Sequence, residues 1–130
     1  MLLQQRAKNK YHSAGLWTNA CCSHPYFEQD IVAAAEKRLQ EEMGFTTSLT
    51  KAFEFVYKAA FDNGLTEYEY DHVFTGKYDG EIVPDKNEVE SFCFMDMEEI
   101  KTSLESHPNK YTAWFKIAFP KLEDYLQQRL

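Results

Sequence analysis

A long alternating stretch near the middle of the chain constrains its fold more than any other feature of the sequence. Apolar or aromatic residues fall on every second position there, at Phe53, Phe55, Tyr57, Ala59 and Phe61. This period of two predicts a strand with one buried face. Asp62-Asn63-Gly64 follows as a strong turn signal, and residues 65–78 predict a second long strand. The two strands are therefore expected to pair as an antiparallel hairpin.

A helix of about residues 28–43 is predicted before the hairpin. Its apolar residues recur at spacings of three and four, at Ile31, Ala34, Ala35, Leu39 and Met43. Gly44 stands where a helix-ending glycine belongs. Arg38 and Glu42 are four positions apart, so they should share one face of this helix.

Shorter elements complete the predicted fold. Residues 2–6 and 89–94 predict strands, and residues 16–21 predict a short strand or an extended loop. Asp96 is placed to begin a helix, and a last helix of about residues 112–128 should be kinked or interrupted by Pro120. The order of elements predicts one α/β domain with a mixed sheet.

Length and charge narrow the class of protein. A chain of 130 residues is one domain long. The net charge of −7 argues against nucleic acid as a partner, although Arg6, Lys8 and Lys10 offer local cations for a small phosphorylated ligand. No apolar run reaches membrane-spanning length, and residues 1–6 lack the apolar region and the cleavage site typical of a signal peptide. Three cysteines, two of them adjacent, indicate reduced thiols, so we expect a cytoplasmic protein with no membrane partner.

Two glutamates in the second hairpin strand form the sharpest local pattern. Residues two apart on a strand point to the same side, so the carboxylates of Glu67 and Glu69 should lie side by side. Their repulsion favours a cation between them, and oxygen ligands suit Mg²⁺ or Mn²⁺. The alternative is a solvated, charged face of an edge strand, and the local pattern leaves both interpretations open.

A second pattern brings a thiol close to an imidazole in the run Cys21-Cys22-Ser23-His24-Pro25. It is compatible with a reactive cysteine, with part of a metal site, or with small buried hydrophobic residues. It lacks the paired spacing of a structural zinc site.

Two aromatic residues have alternative roles as well. Tyr57 should lie across the hairpin from Glu69, within hydrogen-bonding reach, or else be a core tyrosine. Trp114 is either a packing residue or an indole face that stabilises a cation.

Three motifs together resemble one family. Residues 17–25 resemble the W-T-N-x-x-C-x-H-P signature of type 1 isopentenyl diphosphate isomerases, a branch of the Nudix superfamily. Glu67-Tyr68-Glu69 resembles their E-x-E motif, and Ala113-Trp114-Phe115 resembles their C-terminal tryptophan motif. The resemblance covers nearly the whole chain and implies a single Nudix-like domain over residues 1–130, with a mixed β-sheet and flanking helices.

The predicted first helix also resembles the core of a Nudix box, over residues 37–45. Nudix hydrolases carry metal-binding glutamates where this chain has Arg38 and Gln29, which counts against a hydrolase of nucleoside diphosphate derivatives. A non-catalytic Nudix-like binding module is the other alternative. A binding module would not need the complete set of motif residues, so their presence counts against this alternative.

The resemblance implies an isomerase of isoprenoid biosynthesis that interconverts isopentenyl and dimethylallyl diphosphate with Mg²⁺ or Mn²⁺. The reaction would pass through a tertiary carbocation by protonation and deprotonation. The catalytic residues would be Cys22, Glu69 and Tyr57. Arg6, Lys10 and Arg38 would bind the diphosphate, and Trp114 would face the carbon skeleton of the substrate. The metal ligands would be His24, Glu67 and Glu69, with Glu42 helping to hold a second magnesium ion.

The family also carries an N-terminal segment with two further histidine ligands and a lysine for the diphosphate. This chain begins at the strand before the basic residues, so we expect it to be N-terminally truncated relative to the family. A strand edge exposed in this way can pair with a second copy, which makes a homodimer one expected assembly.

Overall fold

The computed structural model describes residues 1–10, 13–21, 30–60 and 66–128, with the backbone alone for residues 57, 59, 60 and 66–70. The strands are β1 (Leu2–Arg6), β2 (Trp17–Asn19), β3 (Thr50–Ala60), β4 (Thr66–Thr75) and β5 (Val89–Phe94). The helices are α1 (Ile31–Met43), α2 (Met97–Ser106) and α3 (Ala113–Gln127), with a 3₁₀ turn at Pro108–Lys110.

The described strands form two sheets. β1 is the central strand of a three-stranded sheet, with β2 on one side and β5 on the other, both antiparallel to it. The register of β1 and β5 shifts between Gln5 and Arg6. A single parallel bridge joins Trp17 to Tyr111, just before α3. The predicted α/β class is confirmed.

The predicted hairpin is the second sheet. β3 and β4 pair antiparallel from Thr50 opposite Thr75 to Ala60 opposite Thr66. β4 ends at Thr75 rather than at the predicted residue 78. The pairing ends just before Gly76, a residue with weak strand propensity, where a Cβ atom would lie 2.8 Å from the backbone oxygen of Ser48 and from a side-chain carbon of Leu49. The turn signal at residues 62–64 lies outside the described residues.

Helix α1 begins later than the sequence predicts. Asp30 has an extended backbone, and its carboxylate accepts from the amides of Val32 and Ala33. The helix therefore starts at Ile31, because this cap satisfies the first free amides and keeps Asp30 out of the helical conformation. It ends as predicted, with Gly44 in the left-handed region at φ 75°.

Helix α3 is capped by Thr112, whose hydroxyl accepts from the amide of Phe115 at 3.3 Å. Pro120 does not interrupt it, since the helix continues to Gln127. Buried residues on both sides of the proline, Phe119 and Leu122 among them, hold the helix against the core although one backbone hydrogen bond is missing.

Three apolar clusters hold the elements together. The first packs Leu3 of β1 against residues of α2 and α3, chiefly Ile100 and Phe115. The second joins α1 to β5. The third joins Phe55 of β3 to Trp114 of α3 and so attaches the hairpin to the last helix. Within the described residues, no helix is long and apolar enough to span a membrane.

Candidate active site

Two of the predicted diphosphate-binding cations meet at one carboxylate. Arg38 of α1 donates from Nη2 to Oε2 of Glu88 at 2.9 Å, and the Lys10 ammonium pairs with the same oxygen. Arg38 also pairs through Nε with Oε2 of Glu42 at 2.6 Å, one turn further along the helix. The predicted shared face of Arg38 and Glu42 is confirmed. Glu88, which precedes β5, joins this helix to the segment after β1.

Glu42 is buried in spite of its charge, with 4% of its surface exposed. Its other oxygen, Oε1, accepts from the side-chain amide of Gln4 at 2.9 Å. Gln4 is itself buried and also donates to the carbonyl of Ala20 at 2.6 Å. Burial raises the pKa of Glu42, although Gln4 and Arg38 both oppose the shift. Additional positive charge near this carboxylate would therefore stabilise its ionised form.

Glu88 and Arg38, which pair with each other beside Glu42, are both held in their charged forms. Burial alone would raise the pKa of Glu88, but the hydrogen bond from Lys10 and the charge of Arg38 lower it below its usual value. Burial opposes the charge of Arg38 too, but the carboxylates of Glu42 and Glu88 outweigh it and raise its pKa. Glu88 and Arg38 therefore stabilise each other's charged forms.

The third predicted diphosphate ligand, Arg6, lies over an aromatic ring. Its guanidinium carbon is 5.2 Å from the centroid of the Trp114 ring, within the range of a cation–π contact. Trp114 is 9% exposed and packs with Phe55 against Phe53 and Val73 of the hairpin. Trp114 therefore connects Arg6, at the end of β1, with the face of the hairpin that carries Phe55.

That face of the hairpin continues towards the predicted acid–base residues. Phe55 pairs with Asp71, the next pair on the same face is Tyr57 with Glu69, and the one after it is Ala59 with Glu67. The prediction that Tyr57 lies across from Glu69 is confirmed at the level of strand register. Successive pairs on one face are about 7 Å apart along a strand. Tyr57 and Glu69 therefore occupy the next pair of positions along this face after Phe55, which packs against Trp114.

Side-chain hydrogen bonds of the W-T-N segment, residues 17–19, fix the conformation of the chain just before Cys22. Thr18 is fully buried, and its hydroxyl accepts from that of Thr112 at 2.9 Å and donates to Oδ1 of Asn19 at 2.8 Å. Asn19 donates in turn to the carbonyl of Cys21 at 2.6 Å. Cys21 packs at the edge of the cluster formed by α1 and β5. The conformation of the residue before Cys22 is therefore fixed from β2 and the start of α3.

The two remaining predicted site residues, Cys22 and His24, lie outside the described residues, as does Gln29. For Tyr57, Glu67 and Glu69 the description ends at the backbone. Among the side chains that the structure describes, no three histidine, cysteine, aspartate or glutamate residues are grouped closely enough to hold a metal ion. The metal site remains a prediction.

Comparison with known proteins identifies the family. The chain matches the NUDIX domain over residues 1–115. It is 43% identical over 127 residues to the isopentenyl-diphosphate Delta-isomerase of Pectobacterium atrosepticum, a match that covers 98% of this chain and 71% of that protein. The chain belongs to the Nudix isopentenyl-diphosphate isomerase family.

Another member of this isomerase family is similarly close. The isopentenyl-diphosphate Delta-isomerase 2 of Photorhabdus laumondii is 47% identical over 116 residues, which are 89% of this chain and 66% of that protein. The chain spans about two thirds of the length of these relatives.

Solved structures confirm the Nudix fold. The MutT protein from Methanosarcina mazei superposes with a TM-score of 0.73 at 18% identity, covering 98% of this chain and 83% of that one. An Ap4A hydrolase from C. elegans gives a TM-score of 0.61 at 15% identity, covering 98% and 86%. At these identities the likeness shows the fold alone.

Glu88 and Gln4 contribute to the site of this Nudix isomerase-family chain, but neither residue stands out in the sequence. Glu88 lies in an acidic stretch that also contains Glu90, and nothing in the local pattern separates them. Gln4 gives a weak signal, since it is a polar residue directly after two leucines of a strand. Both are recognised only through partners far away in the sequence.

Proposed function

We propose that this chain catalyses the interconversion of isopentenyl diphosphate and dimethylallyl diphosphate. The names of its relatives support this activity. The observation that carries the proposal is the position of Trp114, which contacts Arg6 on one side and the hairpin of Tyr57 and Glu69 on the other. A substrate with an anionic head and a short hydrocarbon tail suits such a junction of cations and apolar surface.

The chemistry requires an acid and a base rather than an activated carbonyl. Protonation of the double bond gives a tertiary carbocation, and loss of a proton from the neighbouring carbon completes the shift. Both groups must be held close to the reacting carbons, because an unactivated alkene is a poor base. In our proposal Cys22 and Glu69 take these two roles, and Tyr57, which pairs with Glu69 across the hairpin, donates a hydrogen bond to it.

The carbocation must be stabilised and kept from water while it exists. An indole face attracts a cation through the ring quadrupole. Trp114 is 9% exposed and packs with Phe55 and Phe53, so its surroundings are apolar apart from the guanidinium of Arg6 over its ring. We assign it the stabilisation of the cationic carbon skeleton, while Arg6, Lys10 and Arg38 bind the diphosphate.

The donor set fits a divalent metal. Glu67 and Glu69 occupy successive positions on one face of β4, and carboxylate oxygens suit Mg²⁺ or Mn²⁺. Glu42 is buried with a raised pKa, which an added cation would offset, and its oxygens keep further lone pairs besides those used by Gln4 and Arg38. His24, Glu67 and Glu69 would hold one ion and Glu42 a second. Bound metal would neutralise diphosphate charge and orient the substrate.

The hydrolase alternative is disfavoured by the contacts of Arg38. In place of a metal-binding glutamate, the helix presents a guanidinium paired with both Glu42 and Glu88. A guanidinium has no lone pair to ligate the metal ion of a hydrolase at this position, and its positive charge attracts a phosphate group.

The proposal is tested by following isopentenyl diphosphate with the purified chain and Mg²⁺ in heavy water by NMR. We expect dimethylallyl diphosphate to form with deuterium incorporated, because the proton that is added comes from an acid in exchange with solvent. The Photorhabdus laumondii enzyme serves as positive control. Glu69→Gln should fold normally and lower the rate at least 100-fold, in line with loss of an acid–base group.

Two results would contradict the proposal. One is that the chain forms no product under conditions in which the Photorhabdus enzyme does. The other is an undiminished rate in the Glu69→Gln variant. Release of phosphate from nucleotides, unaffected by Cys22→Ala, would favour the hydrolase instead.

A further inference from the structure

We propose that Glu88 is a positioning residue that holds Lys10 and Arg38 together as one diphosphate-binding pair. This inference rests on the proposed function, since it takes the bound anion to be the diphosphate of the substrate. The observation behind it is that a single carboxylate oxygen of Glu88 bonds to both cations.

The two cations come from separate parts of the fold. Lys10 follows β1, whereas Arg38 lies in the last two turns of α1. Sharing one oxygen brings their nitrogens to within roughly 6 Å of each other, the sum of two hydrogen-bond lengths. Two positive charges at that distance repel, and long side chains at 23% and 28% exposure have room to move apart. The negative charge of Glu88 offsets this repulsion and keeps the pair assembled.

Glu88 is fixed by its backbone, so it can act as a rigid support. Its amide donates to the carbonyl of Asp85 at 3.0 Å, and its carbonyl accepts from Ala7 at 3.1 Å, which ties it to the chain beside Lys10. Asp85 in turn donates to the carbonyl of Glu42 at 2.9 Å, at the end of α1. The segment before β5 is thus bonded to both elements that supply the cations.

The pair keeps hydrogen-bonding capacity for an anion. Arg38 has five N–H donors, of which the Nε and one Nη2 donor bond to Glu42 and Glu88. Lys10 has three donors and gives one to Glu88. Among the described residues, the Nη1 group of Arg38 also forms an ion pair with Oε2 of Glu41 at 3.6 Å, which is too long for a hydrogen bond and leaves its N–H groups able to donate to an anion. Several oxygens of a diphosphate can therefore bind without displacing Glu88.

The experiment measures affinity for inorganic diphosphate with Mg²⁺ by calorimetry, so it does not depend on turnover. Glu88→Gln keeps the shape of the side chain and removes its charge. We expect it to weaken binding about tenfold, equivalent to about 1.4 kcal/mol. The matched control is Glu90→Gln, an exposed acid two residues further along, which should change affinity by less than about twofold.

A double-mutant cycle separates positioning from general structural damage. Lys10→Met should weaken binding strongly in the unsubstituted chain and much less in the Glu88→Gln variant, where Lys10 is no longer held in place. A merely structural role of Glu88 predicts additive effects instead. If Glu88→Gln does not fold, judged by circular dichroism, Glu88→Asp replaces it. That variant keeps the charge but is too short to reach both cations, and we expect intermediate affinity.

The outcomes separate this inference from the proposed function. Equal or tighter diphosphate binding by Glu88→Gln, or additive effects in the cycle, overturns the role of Glu88 even if the chain isomerises its substrate. Failure of the unsubstituted chain to bind diphosphate overturns it as well. Binding that depends on Glu88, in a chain without isomerisation by NMR, supports the inference while the proposed activity fails.

Discussion

At the scale of single residues, polar groups in the interior decide the geometry of the site. Gln4 and Glu42 are almost completely buried, and each satisfies the other with a hydrogen bond of 2.9 Å. The sequence could not reveal this pair, because the two residues are 38 positions apart. The same holds for Glu88, which is 78 positions from Lys10 and 50 from Arg38. A local pattern carries no information about such partners.

Replacing Gln4 tests how much this buried amide contributes. Gln4→Leu removes the donor to Glu42 and leaves a buried carboxylate less satisfied. We expect the free energy of unfolding to fall by about 1.5–3 kcal/mol, the usual range for hydrogen bonds to charged groups. The neighbouring Gln5→Leu is the control, since Gln5 donates to the neutral carbonyl of Gly15 at 3.0 Å and should cost less than about 1.5 kcal/mol. Urea unfolding measures both, and equal losses would contradict the argument.

At the scale of elements, the sequence predicts what depends on local periodicity and caps. The antiparallel pairing of the hairpin strands, the end of α1 at Gly44, the strand of residues 89–94 and the Asp96 cap are found as expected, although β4 ends three residues before its predicted end. The start of α1 was predicted too early because its apolar period does not reveal which residue leaves the helical conformation. The division of the strands into two sheets also could not be predicted, since it depends on contacts between distant segments.

The glycine that ends α1 provides a prediction at this scale. A Cβ atom at Gly44 would lie 2.1 Å from the carbonyl oxygen of Val83, and the backbone there has φ 75°. Gly44→Ala should therefore cost more than the roughly 1–2 kcal/mol of a left-handed non-glycine residue alone. Gly15→Ala is a matched control, with φ 74° but no atom within 4 Å. Thermal and urea unfolding should rank Gly44→Ala as the more destabilised variant, and the reverse order would refute the steric explanation.

At the scale of the whole molecule, a few contacts join segments that are far apart in the described chain. Trp17 pairs with Tyr111, and the hydroxyls of Thr18 and Thr112 bond across 94 positions in the sequence. Both threonines are fully buried. Since Thr112 also caps α3, one hydroxyl connects the three-stranded sheet with the helix that carries Trp114.

Substitution of Thr112 tests this connection. Thr112→Val keeps the shape but removes both the helix cap and the donor to Thr18, so we expect a loss of about 1–3 kcal/mol in the free energy of unfolding. Thr112→Ser keeps the hydroxyl and should lose less than about 1 kcal/mol. A Thr112→Ser variant that is less stable than Thr112→Val, measured by urea unfolding, would show that the methyl group and not the hydroxyl matters.

The order of strands in the three-stranded sheet has a consequence for biosynthesis. Of the strands that the structure describes, β1 is synthesised before the others, whereas β5, one of its two neighbours, is synthesised last, with Leu2 opposite Phe94. At ribosomal rates of about 5–20 residues per second, β1 waits roughly 5 to 20 seconds for this partner. Until then one side of β1 offers unpaired amide and carbonyl groups to any other strand in reach. The nascent chain therefore depends on its surroundings to protect this edge until translation has passed residue 94.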